Sequence, residues 1–110
     1  MLPLTKNYFL VFIILLLTAL IEAGTVRIMT YNLLNFEDEN DRENDFRSII
    51  SLIEPDLIIV QEVSGQEGFS NFKSDVLDLI EPNSWTGANF INQTASQDIA
   101  LYYRNDLFTF

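Results

Sequence analysis

Pro55-Asp56-Leu57-Ile58-Ile59-Val60-Gln61-Glu62 is a proline-led apolar run that closes on an amide and a carboxylate. Proline disfavours helical backbone in the residue before it, so a helix ends ahead of Pro55. Leu57 to Val60 shows no polar alternation, which predicts a strand covered on both faces. Upstream, Val26-Arg27-Ile28-Met29-Thr30-Tyr31-Asn32 is rich in β-branched and aromatic residues and reads as a mostly buried strand over Val26–Tyr31. Between the runs, Phe46, Ile49, Ile50 and Ile53 recur at i, i+3, i+4 and i+7. They share one helix face and leave Arg42, Glu43, Asp45 and Arg47 to water. Asn40 or Asp41 stands near the N-cap, and Glu43 lies in the first turn, where the helix dipole favours a carboxylate. Strand, helix, strand is a βαβ unit with a right-handed crossover. Both strand C-termini of such a unit open on the sheet edge where α/β proteins bind ligands. Asn32 and Glu62 fall on that edge.

Each residue alone has an ordinary explanation. A carboxylate after a strand is a solvated loop group, and Asn satisfies turn backbone. Side by side they have a chemical use: the carboxylate can hold a divalent cation, and the amide can orient a phosphate or a water.

The rest of the chain reads as scaffold. Ser64–Gly68 is a polar, glycine-containing loop. Phe72, Val76, Leu79 and Ile80 give a second amphipathic helix, ended by Pro82. Trp85–Phe90 reads as a third strand and Ile99–Tyr103 as a fourth, joined by Ile91–Asp98. Leu107–Phe110 looks like the opening of another strand. Asp98 is expected to cap a strand edge, and Asn105-Asp106 to form a turn. The order is β-α-β-α-β-β, a mixed α/β (α+β) class with no internal repeat.

Of the 110 residues, residues 1–23 have the layout of a secretory signal peptide: Lys6, then an apolar run from Tyr8 to Leu17, then Ala23 as the residue before the cut. That predicts a secreted or periplasmic protein, or a membrane-anchored one if the leader is not cleaved. The run is short against the ~20 residues of a spanning helix. Lys6 and Glu22 cancel, so the formal charge of −10 belongs to residues 24–110. So acidic a body disfavours tight sequence-independent DNA binding and suits work through a bound cation. No cysteine is present, which excludes disulfide partners, thiolate zinc sites and a lipidated Cys. Asn92-Gln93-Thr94 is a glycosylation acceptor triplet for a eukaryotic secreted chain.

Taken together, the Tyr31-Asn32 strand end and Pro55-Asp56 leading to Gln61-Glu62 resemble the start of an endonuclease/exonuclease/phosphatase domain, the superfamily of deoxyribonuclease I and the neutral sphingomyelinases. Asp98-Ile99-Ala100-Leu101-Tyr102-Tyr103-Arg104 resembles a later strand of that family. The resemblance implies a four-layer α/β/β/α sandwich of which residues 24–110 form the N-terminal portion. It also implies Mg2+ (or Mn2+)-dependent hydrolysis of a phosphoester, whether nucleic acid, phospholipid or small phosphate ester. Glu62 would ligate the metal, and Asn32 would hydrogen-bond beside the metal and the scissile phosphate.

The family's remaining groups are an Asp-x-Asn pair, a further metal-ligating Asp and an Asp-His pair. They have no counterpart after Glu62, and the chain contains no histidine. The chain alone is therefore expected not to turn over. Its apolar strands lack a second sheet, so a missing C-terminal half or a complementary chain is expected to cover them. Two other readings stay open: a catalytically inactive truncated secreted domain with a cation-binding or interaction role, and a membrane-tethered lipid phosphodiesterase of the sphingomyelinase type.

Overall fold

The computed structural model describes residues 8–14, 24–37, 41–93 and 97–110. Four strands make one mixed sheet: β1 (Ile28–Phe36), β2 (Leu57–Val63), β3 (Trp85–Gly87) and β4 (Asp98–Arg104). Their spatial order is β1-β2-β4-β3. β1 and β2 are parallel, and β4 runs antiparallel to both β2 and β3. The crossover between the parallel strands is α1 (Glu43–Ile53). A second helical run opens as α2 (Gly65–Asn71), widens into a π-helical segment (Phe72–Leu77) and closes as α3 (Asp78–Ile80).

α1 ends as Pro55 demands. Glu54 takes a left-handed conformation (φ 52°), and its N–H donates to the Ile50 carbonyl at 2.8 Å. Phe46 and Ile50 are buried, and Ile49 and Ile53 pack beside them, so the whole predicted face meets the sheet. The N-cap residue is Arg42 rather than Asp41, and Asn40 lies outside the described residues. Arg42 and Arg47 do not simply face water. Arg42 donates to the Leu33 and Leu34 carbonyls at 2.7 and 3.1 Å, and Arg47 to the Asp75 carbonyl and Asn44 Oδ1. Guanidinium groups close the orphaned carbonyls of neighbouring elements, which periodicity does not reveal.

The second helix starts earlier than expected, at Gly65, so most of the predicted Ser64–Gly68 loop is its first turn. A Cβ on Gly68 would stand 2.9 Å from the Phe36 carbonyl oxygen, which is why that turn approaches the end of β1 so closely. The π segment then rephases the helix. Phe72, Val76 and Leu77 are buried while Leu79, expected in the core, is 63% exposed. An α-helix places i+7 on the face of i, but a wider turn carries i+5 there instead.

The core lies on one side of the sheet. Met29 and Leu33 of β1, Ile58 and Val60 of β2, and Ala100 and Tyr102 of β4 form one cluster with Phe46, Ile50, Phe72, Val76 and Leu77. Tyr31 meets the Phe46 ring edge-on at 5.5 Å, and Phe69 stacks between Phe90 and Tyr102. The other face carries Ile28, Leu57, Ile59, Ile99 and Leu101. Ile28 and Ile99 are 61% and 63% exposed, so β2 is covered on one face and not on both. Phe110 packs edge-on against Tyr103 at one corner of that face.

Strand bounds differ from expectation: β2 runs past Val60 to Val63, and β4 takes in Asp98 and Arg104 at its ends. β1 starts at Ile28 and runs on to Phe36, β3 stops at Gly87 instead of Phe90, and residues 107–110 form no strand. Leu107 and Phe108 N–H groups both donate to the Arg104 carbonyl, so Asn105-Asp106 turns the chain out of the sheet. Residues 8–14 are helical with exposed side chains. The rest of the leader, including the Ala23 cut, and Thr94 of the glycosylation triplet lie outside the described residues. Among the described residues no helix is long and apolar enough to cross a membrane.

Candidate functional site

Asn32, inside β1, and Glu62, one residue before the end of β2, are brought together. In the β1–β2 ladder Asn32 stands opposite Gln61, and the next matched pair is Phe36 with Val63. In the β2–β4 ladder Val60 matches Ala100, and the next pair is Val63 with Asp98. Gln61 and Glu62 therefore oppose the single residue Ile99, which makes a β-bulge. Glu62 carries its irregularity, with φ at 60°. A left-handed backbone in a residue with a Cβ costs roughly 1–2 kcal/mol. The bulge turns Val63 back into the core and lets Glu62 reach across to β1.

Asn32 Nδ2 donates to Glu62 Oε1 at 3.1 Å, while Asn32 Oδ1 accepts the Leu34 N–H at 2.8 Å. The second bond fixes the orientation of the amide, because only its oxygen can accept a backbone N–H. Asn32 is thus a clamp: one end is tied to its own strand and the other holds one oxygen of the carboxylate. Leu34 and Asn35 also have positive φ, 51° and 52°. Arg42, reaching from the start of α1 to the Leu33 and Leu34 carbonyls, ties down that irregular strand end. Its guanidinium also lies 5.5 Å over the Phe46 ring.

Further acidic groups lie along this edge. Glu37 follows β1 directly, and Ser64 Oγ is 3.4 Å from its Oε1. Asp98 opens β4 opposite Val63. It is buried and accepts the Gln93 N–H at 3.0 Å, so it secures the connecting loop at the strand edge as expected. Asn105 and Asp106 lie past the opposite end of β4, beyond Arg104, and do not join the site.

The donor chemistry decides what this edge can hold. Glu62 Oε2 makes no hydrogen bond or ion pair with the described residues and is a hard anionic oxygen suited to Mg2+ or Mn2+. Asn32 Oδ1 is occupied by Leu34, so the amide fits an orienting role better than that of a second ligand. Among the described residues no three His, Cys, Asp or Glu side chains are grouped to hold a metal. Mg2+ keeps several waters and can be held through one or two carboxylates, so Glu62 fits as one ligand of such an ion.

Neither the bulge at Glu62 nor the contribution of Arg42 could be read from the sequence. Positive φ is signalled by Gly or Asn, and Glu62 is neither. No family model, curated protein or solved structure matches the chain.

Proposed function

We propose that the Asn32–Glu62 edge is part of a divalent-cation site for phosphoester hydrolysis, in an exported protein of the endonuclease/exonuclease/phosphatase type. The observation that carries this reading is the 3.1 Å contact between the Asn32 amide of β1 and the Glu62 carboxylate of the parallel strand β2, where their regular pairing breaks. Strained backbone persists where surrounding structure holds it, and such strain clusters at sites of function. Here it serves to aim one carboxylate.

Glu62 offers Oε2 to the cation while Asn32 fixes Oε1, so the carboxylate meets the ion already oriented. Mg2+ or Mn2+ bound there would supply charge stabilisation to a phosphoryl oxygen and to the leaving oxygen. The chain's formal charge of −10 concentrates cations and repels duplex nucleic acid, which favours a small or lipid phosphoester over double-stranded DNA. The bare sheet face of Ile28, Ile99 and their neighbours is consistent with a second sheet, and hence with the four-layer sandwich.

The absence of histidine from the sequence favours a second reading: cation binding without turnover by this polypeptide. Manganese titration followed by electron paramagnetic resonance tests the site under either reading. Wild type should bind Mn2+ saturably, Glu62→Gln should lose that binding, and Asn32→Ala should weaken it about tenfold, as removal of an orienting partner does. Equal affinity in wild type and Glu62→Gln would sink the proposal. The chain alone should show no hydrolysis of bis(4-nitrophenyl) phosphate above buffer, and metal-dependent turnover lost in Glu62→Gln would overturn the second reading.

A further inference from the structure

Arg42 has a placement that capping alone does not explain. It stands at the start of α1, where its own carbonyl accepts the Asp45 and Phe46 N–H groups at 3.1 and 3.2 Å. Its half-buried side chain turns back over the Phe46 ring to the end of β1. In a chain of formal charge −10 it makes no ion pair among the described residues. The guanidinium donates instead to two neutral carbonyls, Leu33 at 2.7 Å and Leu34 at 3.1 Å.

These two carbonyls are not equivalent. A donor to the Leu34 oxygen satisfies the irregular strand end and does no more. The Leu33 oxygen belongs to the same planar peptide group as the Leu34 N–H, which is the donor that fixes Asn32 Oδ1 at 2.8 Å. Three bonds therefore run in series: guanidinium to Leu33 oxygen, Leu34 N–H to Asn32 Oδ1, and Asn32 Nδ2 to Glu62 Oε1 at 3.1 Å. Every donor points the same way, from the Arg42 cation toward the Glu62 carboxylate. Such a series polarises its members. A charged donor on a peptide oxygen strengthens the N–H of that peptide, and an amide that accepts at its oxygen donates better from its nitrogen. The peptide also has to be held, because Leu34 and Asn35 take left-handed backbone there, with φ of 51° and 52°.

We infer that Arg42 is a positioning residue for Glu62, acting through the Leu33–Leu34 peptide and the Asn32 amide. It couples the start of α1 to a carboxylate that it does not touch. Its use rests on Glu62 being the cation ligand proposed above, whereas the relay itself needs no metal.

The full chain, labelled with nitrogen-15, is first followed without metal by nuclear magnetic resonance. Arg42→Gln should move the Leu34 backbone nitrogen signal upfield and speed water exchange of the Asn32 side-chain amide. Arg42→Lys keeps the charge but loses the forked donor, so it should do the same to a smaller extent. Mn2+ titration follows. Arg42→Gln should weaken binding about three- to fivefold, short of Asn32→Ala because the amide remains in place. Added to Asn32→Ala, it should weaken binding no further, since the relay is already cut. Arg47→Gln is the control. Its guanidinium also closes a carbonyl, that of Asp75 in the π-helical segment, so its loss should lower stability and leave Mn2+ affinity unchanged. Unmoved Leu34 and Asn32 signals in folded Arg42→Gln and Arg42→Lys, full additivity of the two losses, or an equal loss in Arg47→Gln overturns the inference. A wild type that binds no Mn2+ removes the cation reading instead, and the metal-free spectra then decide the relay by themselves.

Discussion

Glu62 holds a backbone conformation that its side chain disfavours, and that tension can be measured. Glycine accepts φ near 60° without the Cβ clash, whereas alanine keeps the clash and loses the bond to Asn32. Glu62→Gly should therefore exceed Glu62→Ala in stability by about 1 kcal/mol in chemical denaturation. Equal stabilities would mean that the bulge is unstrained. Tyr102 is a second residue with a measurable consequence. Its hydroxyl donates to the Phe69 carbonyl at 2.7 Å, and burial pushes its pKa far above the ordinary value near 10. The folded state thus keeps this proton after the unfolded chain has released it. Stability is complete below pH 10 and falls above it, by up to ~1.4 kcal/mol per pH unit from this one group. Tyr102→Phe should flatten that alkaline slope. At this scale the identities of Asn32 and Glu62 were legible because both are polar residues ending apolar runs. The φ that lets them touch was not, since a glutamate does not advertise a bulge.

The helices show where periodicity holds and where it fails. The α1 face of Phe46, Ile49, Ile50 and Ile53 was readable because an uninterrupted α-helix repeats with the period assumed. The second helix breaks that assumption at its π segment, which exchanges Leu79 for Leu77 in the core. Leu77→Ala should accordingly cost about 2–5 kcal/mol, the range for emptying a core leucine. Leu79→Ala should stay within about 0.5 kcal/mol, as surface substitutions do. A regular α-helix through this region would reverse the two values, so thermal denaturation of both variants tests the π turn directly. β1 shows a related limit. Its extension past Asn32 depends on Leu34 and Asn35 at positive φ and on Arg42 arriving from another element, and neither is a local property of the strand.

The molecule as a whole is a sheet finished on one side. Non-alternating strands suggested burial on both faces, but the helices cover only one, and Ile28 and Ile99 are left to solvent. Exposed contiguous apolar surface of this kind drives association. The chain at high concentration should sediment as more than a monomer, and Ile99→Lys should return it toward monomer at little cost in stability, read by analytical ultracentrifugation. A monodisperse wild type would show that the face is tolerated bare. The strand order carries a separate kinetic consequence. β4 lies between β2 and β3, and its partner Leu57 pairs with Tyr103, far along the chain. β3 has no neighbour until β4 arrives, so the helices cannot seal their core during synthesis of the first hundred residues. Non-local pairing of this sort folds slowly. A nascent chain of this order keeps its core open until β4 docks, an interval in which chaperones and proteases compete with folding.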